Sequence, residues 1–173
     1  SIPGAFETTS YQKTEWVYFP GTNLLQQKRY PDGKGPSYTY YDSGQVKTRT
    51  WARGVVTTYG HHPGGELATI DYSDTTPDIA HSYDRAGRPQ TTQDAAGLHT
   101  YFYDNPGSLP SAETIGDGIL DGVALIYPND GLGRRSSFGA TLGGSQIYGV
   151  SYGYDARNRL KTCLLYTSDA ADE

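Results

Sequence analysis

The segment Tyr83-Asp84-Arg85-Ala86-Gly87-Arg88-Pro89 decides the fold of this chain. Its pattern is Tyr-Asp, two variable residues, Gly or Asn, one more residue and an apolar residue. The pattern returns at Tyr103-Asp104-Asn105-Pro106-Gly107-Ser108-Leu109 and at Tyr154-Asp155-Ala156-Arg157-Asn158-Arg159-Leu160. An Asp at the first corner of a type I turn accepts a hydrogen bond from the backbone two residues later, and Gly or Asn adopts the positive φ that closes a hairpin with a bulge. Each copy therefore predicts a β-hairpin, with the Tyr ending one strand and the apolar residue beginning the next.

Four looser copies extend the pattern over most of the chain. They start at Phe19, Tyr41, Tyr59 and Tyr127, and their turn residues include Asp42, Gly44, Asp130 and Gly133. The seven starts recur about every 22 residues, and a second turn signal such as Pro31-Asp32-Gly33 lies midway through each period. We predict about seven hairpin repeats over residues 19–162, preceded by a partial repeat at residues 1–18.

Alternating residues ahead of the aromatic starts predict which face of the hairpins is packed. Every second residue is aromatic, branched or otherwise able to pack: Val55, Thr57, Tyr59; Ile79, His81, Tyr83; His99, Tyr101, Tyr103; Val123, Leu125, Tyr127; Val150, Tyr152, Tyr154. A period of two over five segments indicates strands with one packed face and one wetter face. The predicted fold class is all-β.

Composition excludes several classes of protein. The 173 residues include 16 Tyr and 22 Gly and carry a formal net charge of −5. No stretch approaches the ~18 consecutive apolar residues of a membrane helix, and no run of Lys and Arg could follow a phosphate backbone. We therefore expect neither membrane insertion nor nucleic-acid binding. The first residues show no signal-peptide pattern and no initiator Met, as in a fragment from within a longer protein, so they give no information on localisation.

The last eleven residues, 163–173, differ from the rest of the chain. They contain the single Cys and no Gly, and they match residue for residue the in-frame translation of a transposon-end sequencing adapter. We interpret the segment as a non-native tail and expect it to be disordered, so that its deletion changes neither folding nor binding. A genuine short C-terminal tail is the alternative interpretation.

The tandem motif resembles the YD repeats of Rhs proteins, which also occur in insecticidal toxin-complex shell subunits and in teneurins. The resemblance covers residues 19–162, with departures at Gly60 and Pro128, where Asp is lost, and at Pro89, where Leu is usual. It implies a curved, spiralling β-sheet that forms a hollow shell around another polypeptide, commonly a variable toxic C-terminal domain. The family's self-cleaving aspartic site lies in an Asp-Pro-rich stretch that this sequence lacks, so the resemblance transfers no catalytic residue.

Several residues invite a chemical interpretation beside a structural one. Asp42, Asp84, Asp104 and Asp155 could be glycosidase carboxylates, but their shared turn position favours a structural role. The pair His61-His62 could bind a metal, yet neighbouring strand residues face opposite sides and no third ligand is near in sequence. The sequence at 117–122 lacks the ligand spacing of a calcium loop, and the one at 143–147 lacks the last Gly of a nucleophile elbow. We therefore expect no metal, no cofactor and no catalytic site.

Two functional hypotheses follow. The first is a shell or scaffold segment of a secreted or cell-surface bacterial protein, whose partners are further repeats and an enclosed C-terminal polypeptide. The second is an adhesion or carbohydrate-binding module, because exposed aromatic faces such as those of Trp16 and Trp51 can stack on sugars. An enzyme is the third class considered, and no motif supports it.

Overall fold

The computed structural model describes residues 12–104 and 109–167 of the chain. These residues form one open sheet of fourteen antiparallel strands, in which each strand pairs with the next along the sequence. The strands are β1 (Glu15–Tyr18), β2 (Leu25–Arg29), β3 (Ser37–Tyr40), β4 (Val46–Thr50), β5 (Val56–His61), β6 (Leu67–Tyr72), β7 (Ile79–Tyr83), β8 (Pro89–Asp94), β9 (Gly97–Phe102), β10 (Ala112–Gly116), β11 (Val123–Ile126), β12 (Ser137–Leu142), β13 (Ser145–Tyr154) and β14 (Leu160–Thr167). The predicted all-β fold of tandem antiparallel hairpins is confirmed.

Most of the hairpins close in the same way. In the turn between β7 and β8, the Asp84 amide donates to the Arg88 carbonyl at 2.9 Å, and the Gly87 amide donates to the Asp84 carbonyl at 3.0 Å. The same two backbone bonds close the turns that begin at Tyr30, Tyr41, Trp51, His62, Asp130 and Asp155. Gly87 has a φ of 75°, a conformation in which a Cβ is strained. The register shifts beside Tyr83, so this hairpin contains a β-bulge.

Little of this sheet is buried, because a single sheet has no second layer to cover its apolar face. Among the described residues, the buried hydrophobic side chains are Ile115 and Val150, each 6% exposed, and the most buried side chain is that of Thr57. Cross-strand pairs carry most of the packing. On the packed face His99 lies opposite Ile115, and Tyr101 lies opposite Glu113. No described helix is long and apolar enough to span a membrane.

The segment after Thr162 takes part in the sheet. Residues 163–167 complete β14 and pair with Tyr148–Tyr152 of β13. The expectation of a disordered tail is therefore corrected for these five residues, because β13, at ten residues, is long enough to pair with them. Residues 168–173 lie outside the described part of the chain.

Candidate functional site: the junctions between hairpins

The turn at Asp84 is held by a carboxylate and a guanidinium in addition to its backbone bonds. Asp84 Oδ1 accepts hydrogen bonds from the amides of Ala86 at 2.8 Å and Arg88 at 3.0 Å. Asp84 Oδ2 accepts from Arg88 Nε at 2.7 Å and lies 2.6 Å from Arg88 Nη2. This bidentate pair fixes the guanidinium in one orientation beside the turn. The side chain that was predicted to form the turn also positions a cation.

That cation meets the tyrosine of the next hairpin. The guanidinium carbon of Arg88 lies 4.2 Å from the centre of the Tyr103 ring, within the range of a cation–π contact. The Tyr103 hydroxyl donates a hydrogen bond to the carbonyl of Pro89 at 2.7 Å. We call Asp84, Arg88, Tyr103 and the Pro89 carbonyl the first junction. It connects the turn of one hairpin to a strand of the next.

A second junction repeats this geometry with different residues. Asp130 Oδ1 accepts from the amides of Leu132 and Arg134, and Oδ2 accepts from Arg134 Nε at 2.7 Å. Arg134 lies 4.3 Å from the centre of the Tyr154 ring, and the Tyr154 hydroxyl donates to the carbonyl of Arg135 at 2.8 Å. Two junctions 46 positions apart with matching contacts indicate a repeated structural unit rather than a single binding site.

The hydroxyl bond occurs without the ion pair at two other positions. Tyr40 donates to the Leu25 carbonyl at 2.8 Å, and Tyr83 donates to the Leu67 carbonyl at 3.0 Å. Three of the four acceptors are the first residue of the second strand of the preceding hairpin, and the fourth, Arg135, lies two residues before β12. In every case the ladder of paired residues between the two strands begins two residues after the acceptor. The residue at that position lies opposite the residue three before the tyrosine. The four pairs are Gln27 with Ser37, Thr69 with Ala80, Thr91 with Thr100, and Ser137 with Ser151. The tyrosine hydroxyl therefore satisfies a carbonyl just beyond the end of the ladder.

The copy of the motif that was predicted to start at Tyr41 lies one residue from its predicted position. The turn after β3 begins at Tyr41, whose amide donates to Gln45, so Tyr40 occupies the position of Tyr83 and Tyr41 that of Asp84. Asp42 is one residue too late to make the bonds of Asp84 and is exposed, whereas Gly44 has the expected positive φ of 83°. Asp42 therefore lies in the turn as predicted, but its predicted position at the first corner is corrected.

A similar shift affects Tyr59 and Tyr127. Tyr59 lies within β5 opposite Ile70, and His61 occupies the last position of the strand. Tyr127 packs its ring against Phe138 at 6.4 Å, and the residue that pairs across the turn is Asn129. Both predicted strand-end positions are corrected, because another residue type stands where the tyrosine of the motif belongs. Asp130 and Gly133 nevertheless lie in the turn at their predicted positions.

The motif copies that start at Tyr154 and Tyr103 have different outcomes. Asp155 accepts from the amides of Arg157 and Arg159 and pairs with Arg159 Nε at 2.7 Å, and Asn158 has the left-handed φ of 63°. The predicted turn from Asp104 to Gly107 lies outside the described residues from position 105 onward. Its geometry therefore stays a prediction.

Hydrogen bonds lower the pKa of the three turn carboxylates, Asp84, Asp130 and Asp155. The side-chain hydrogen bond from Arg88 lowers the pKa of Asp84, and the one from Arg134 lowers the pKa of Asp130. For Asp155 the backbone hydrogen bond from Arg159 is the largest cause of its lowered pKa. A general acid requires a raised pKa. These carboxylates are therefore suited to holding a turn and not to donating a proton.

The arginines of the junctions and an ionic cluster beside the first junction were not among the predicted site residues. The signal for the arginines was present, since Arg follows the Gly or Asn of the turn in three copies. The cluster has no such signal, because Asp94, His99 and Glu113 come from three different strands. His99 Nδ1 lies 2.5 Å from Glu113 and Nε2 lies 3.3 Å from Asp94. Burial lowers the pKa of His99, but the two carboxylates outweigh burial and raise it above its ordinary value.

The aromatic residues proposed for sugar stacking have mixed environments. Trp51 is covered by Arg49, whose guanidinium carbon lies 3.6 Å from the ring centre, and its Nε1 donates to Thr57 at 2.8 Å. Trp16 is 54% exposed. An open groove of about 530 Å³ lies beside the first junction and is lined by tyrosines that include Tyr101 and Tyr103. Within the described residues, no group of three or more His, Cys, Asp or Glu side chains could hold a metal ion.

Comparison with solved structures shows the same architecture in a much larger protein. The crystal structure of TcdB2-TccC3 without its hypervariable C-terminal region aligns with 88% of this chain at a TM-score of 0.69 and 18% sequence identity. The chain has an Rhs-like fold. Complexes titled TcdB2-TccC3-Cdc42 and TcdB2-TccC3-TEV align at TM-scores of 0.43 and 0.36, each with 12% identity and about a tenth of its length covered, and these alignments are too weak to support an argument.

The Rhs-like sheet spans only a small part of its structural neighbour. The aligned region covers 9% of the TcdB2-TccC3 chain. No family model matches the sequence, and no curated protein matches it significantly. The likeness at this level of identity establishes the fold.

Proposed function

We propose that this chain is a non-catalytic wall segment of a longer, secreted or cell-surface Rhs-like protein, and that the wall encloses a separate polypeptide. The observation that carries the proposal is the pair of junctions at Asp84 and Asp130, which tie successive hairpins into one continuous sheet. A container needs strong connections along its wall more than it needs a catalytic site. The fold shared with TcdB2-TccC3 supports this role, and the location follows from the family resemblance alone.

The hydrogen bonds and ion pairs of the acidic residues support a structural function. Each of Asp84, Asp130 and Asp155 accepts two backbone amide bonds and pairs with an arginine. A carboxylate used in this way is committed to its turn. The tyrosine hydroxyls of the junctions are likewise used by backbone carbonyls. The acidic and tyrosine side chains of the motif therefore hold turns and join repeats.

Limited proteolysis of the full-length parent protein tests enclosure. The segment that follows the repeats should resist protease in the native protein. It should become cleavable when the hydroxyl bonds of both junctions and the bond from Tyr83 to Leu67 are removed by combining Tyr83→Phe, Tyr103→Phe and Tyr154→Phe. The variant Tyr101→Phe is a matched control, because no described residue accepts a hydrogen bond from the Tyr101 hydroxyl. Equal digestion of the segment in native and unfolded samples would refute enclosure.

The carbohydrate-binding hypothesis predicts a different result. If the groove beside Tyr103 binds a glycan, the chain should bind specific sugars on a glycan array, and the variant Tyr101→Ala should lose this binding. Sugar binding together with equal digestion would replace the shell proposal with an adhesion function. Protection from protease without sugar binding would support the shell.

A further inference from the structure

One histidine is held between two carboxylates from the strands on either side of it. His99 lies near the start of β9, with Thr92 of β8 and Ile115 of β10 directly opposite it. Its Nδ1 lies 2.5 Å from Oε1 of Glu113 in β10, and its Nε2 lies 3.3 Å from Oδ1 of Asp94, the last residue of β8. Both carboxylates are diagonal cross-strand neighbours of the ring. The side chain of His99 therefore connects three strands.

The hydrogen-bonding capacity of imidazole determines which protonation state fits this position. A neutral imidazole has one N–H group and one acceptor nitrogen, whereas an imidazolium has two N–H groups, and an ionised carboxylate only accepts hydrogen bonds. Both ring nitrogens of His99 face carboxylate oxygens. The imidazolium can donate to both carboxylates, whereas the neutral ring would place a lone pair against one of them.

The three side chains are partly shielded from water. Those of His99 and Glu113 are 14% and 15% exposed, and that of Asp94 is 34% exposed. Charges that lose hydration need a close counter-charge, and in this cluster both carboxylates share the same cation. Loss of the proton from His99 would leave two carboxylates on either side of a neutral ring.

We propose that Asp94, His99 and Glu113 form a proton-dependent clamp, in which the imidazolium of His99 ties the turn between β8 and β9 to β10 and the neutral ring loses one of the two contacts. The clamp reaches beyond its own side chains. Asp94 Oδ1 also accepts from the Ala96 amide at 2.8 Å, and the Ala96 carbonyl accepts from the amide of Leu120, in the connection after β10, at 3.3 Å. This device is independent of whether the parent protein encloses a polypeptide.

Other titratable or charged side chains lie around the clamp, on its own strand and on the elements packed against it. Arg135 lies 4.7 Å from the centre of the Tyr127 ring, and His81 Nδ1 contacts the Thr92 hydroxyl at 3.0 Å. Among the described residues, none of these surrounding groups forms a hydrogen bond or an ion pair with a member of the clamp, so the clamp's own three side chains determine its response to pH. The surrounding groups are Tyr101 on β9, His81 on β7, Asp117 and Asp121 after β10, Tyr127 after β11, and Arg135 before β12.

The direction of the pH response follows from the charges. Burial disfavours the charged ring of His99, but the hydrogen bond with Glu113 and the charge of Asp94 outweigh burial and raise the pKa of His99 above 6.5. The stability that depends on the imidazolium is therefore present below the unfolded value of about 6.5 and is lost as pH rises through the folded value. Burial also opposes ionisation of Asp94, but the amide bond from Ala96 and the charge of His99 lower its pKa below 3.8. The clamp is complete between these two limits.

Imidazole NMR and hydrogen exchange on the full chain test the clamp. The His99 ring should titrate above pH 6.5, and Glu113→Gln, which keeps an acceptor and removes the charge, should lower the midpoint. The Gly122 amide donates to the Ile115 carbonyl of β10 at 3.0 Å. Protection of the Ala96 and Gly122 amides, corrected for intrinsic exchange, should fall about fivefold as pH rises through the midpoint, the loss expected for one hydrogen bond. Protection at Gly44 should stay constant.

Two histidine variants complete the test. His99→Gln removes the proton-binding ring, so protection at Ala96 and Gly122 should no longer change over this pH range. His81→Gln is the matched control, because His81 contacts a hydroxyl and not a carboxylate, and it should retain the response. If His99→Gln fails to fold, Glu113→Gln decides. A parent midpoint at or below 6.5, an equal midpoint in Glu113→Gln, or an equal loss of protection at Gly44 would overturn the proposal.

Discussion

Hairpins with the Asp-Arg pair and hairpins without it close the same backbone turn. The turn at Tyr41 has the same two backbone bonds as the turn at Asp84, although it has neither the Asp nor the Arg. What differs is the contact with the next hairpin. At the Asp84 turn the fixed arginine contacts Tyr103, whereas the equivalent Gln45 reaches the Gly65 carbonyl of the next turn at 2.7 Å.

The hairpin at His61 shows what is lost when the tyrosine is absent. His61 occupies the strand-end position of Tyr83, but its Nδ1 is buried without a hydrogen-bond partner. The residue after it, His62, contacts the Tyr83 ring edge-on at 5.8 Å. The comparison indicates that backbone and glycine close each turn, and that the Asp, Arg and Tyr side chains join one turn to the next hairpin.

The largest expected effect concerns the glycine that both kinds of turn share. Gly133 and Gly44 have φ values of 75° and 83°, and a Cβ built on either would have open space around it. Gly133→Val and Gly44→Val should each lower the free energy of unfolding by ~1–3 kcal/mol through backbone strain alone. Chemical denaturation measures both.

Gly131 provides the matched control in the same turn as Gly133. A Cβ at Gly131 also meets open space, and its φ is not positive. Gly131→Val should therefore cost much less than Gly133→Val. Equal losses for the two variants would show that backbone conformation is not the reason for the glycine.

Removing only the hydroxyl of a junction tyrosine separates the contribution of its hydrogen bond to stability from the contribution of ring packing. Tyr103→Phe keeps the ring on Arg88 and removes the bond to the Pro89 carbonyl, so the free energy of unfolding should fall by ~0.5–1.5 kcal/mol. Tyr101→Phe, two residues earlier in β9, should change it by less. If the two substitutions have equal effects, the hydroxyl bond does not stabilise the junction.

Introducing the missing tyrosine should stabilise the hairpin that has His61 at the end of its first strand. His61→Tyr restores the residue found at this position in other repeats and removes the unpartnered nitrogen. Its hydroxyl is expected to reach the Val46 carbonyl, the equivalent of Leu67 and Pro89, and to raise the free energy of unfolding by up to about 1 kcal/mol. Thermal unfolding of His61→Tyr beside His62→Tyr measures this gain, and a loss in His61→Tyr would contradict the equivalence of the positions.

Acid should affect only the hairpins that contain the carboxylate. Because the pKa of Asp84 and of Asp130 is lowered in the folded chain, their contribution to stability is present above the unfolded value near 3.8 and is lost as pH falls through the folded value. Hydrogen exchange at the Ala86 and Leu132 amides should accelerate in that range relative to exchange at Gly44. Equal acceleration at Gly44 would show general acid unfolding instead.

The sequence predicted the turns better than it predicted the contacts between them. Asp84 and Gly87 could be placed because turn chemistry is local and depends on residues within one motif. The shifts at Tyr59 and Tyr127 could not be foreseen, because His61 and Asn129 replace the tyrosine and local pattern then favours the nearest aromatic residue.

Contacts between strands depend on register, which a local pattern does not define. Glu113 meets His99 only because β9 and β10 pair in one particular alignment. Arg88 reaches Tyr103 across a pair of strands for the same reason. The recurrence of Arg after the turn glycine was a usable signal for the junction, whereas the ionic cluster at His99 occurs once and has no repeat to reveal it.

A double-mutant cycle on the second junction tests most directly whether the arginine joins neighbouring hairpins. The variants are Arg134→Gln, Tyr154→Leu and the two combined, with Arg134→Gln and Tyr83→Leu as a distant control pair. We predict a coupling free energy of ~0.5–1 kcal/mol between Arg134 and Tyr154 and none in the control pair. Additive effects in both pairs would contradict the account, because the guanidinium and the tyrosine ring would then stabilise their hairpins independently.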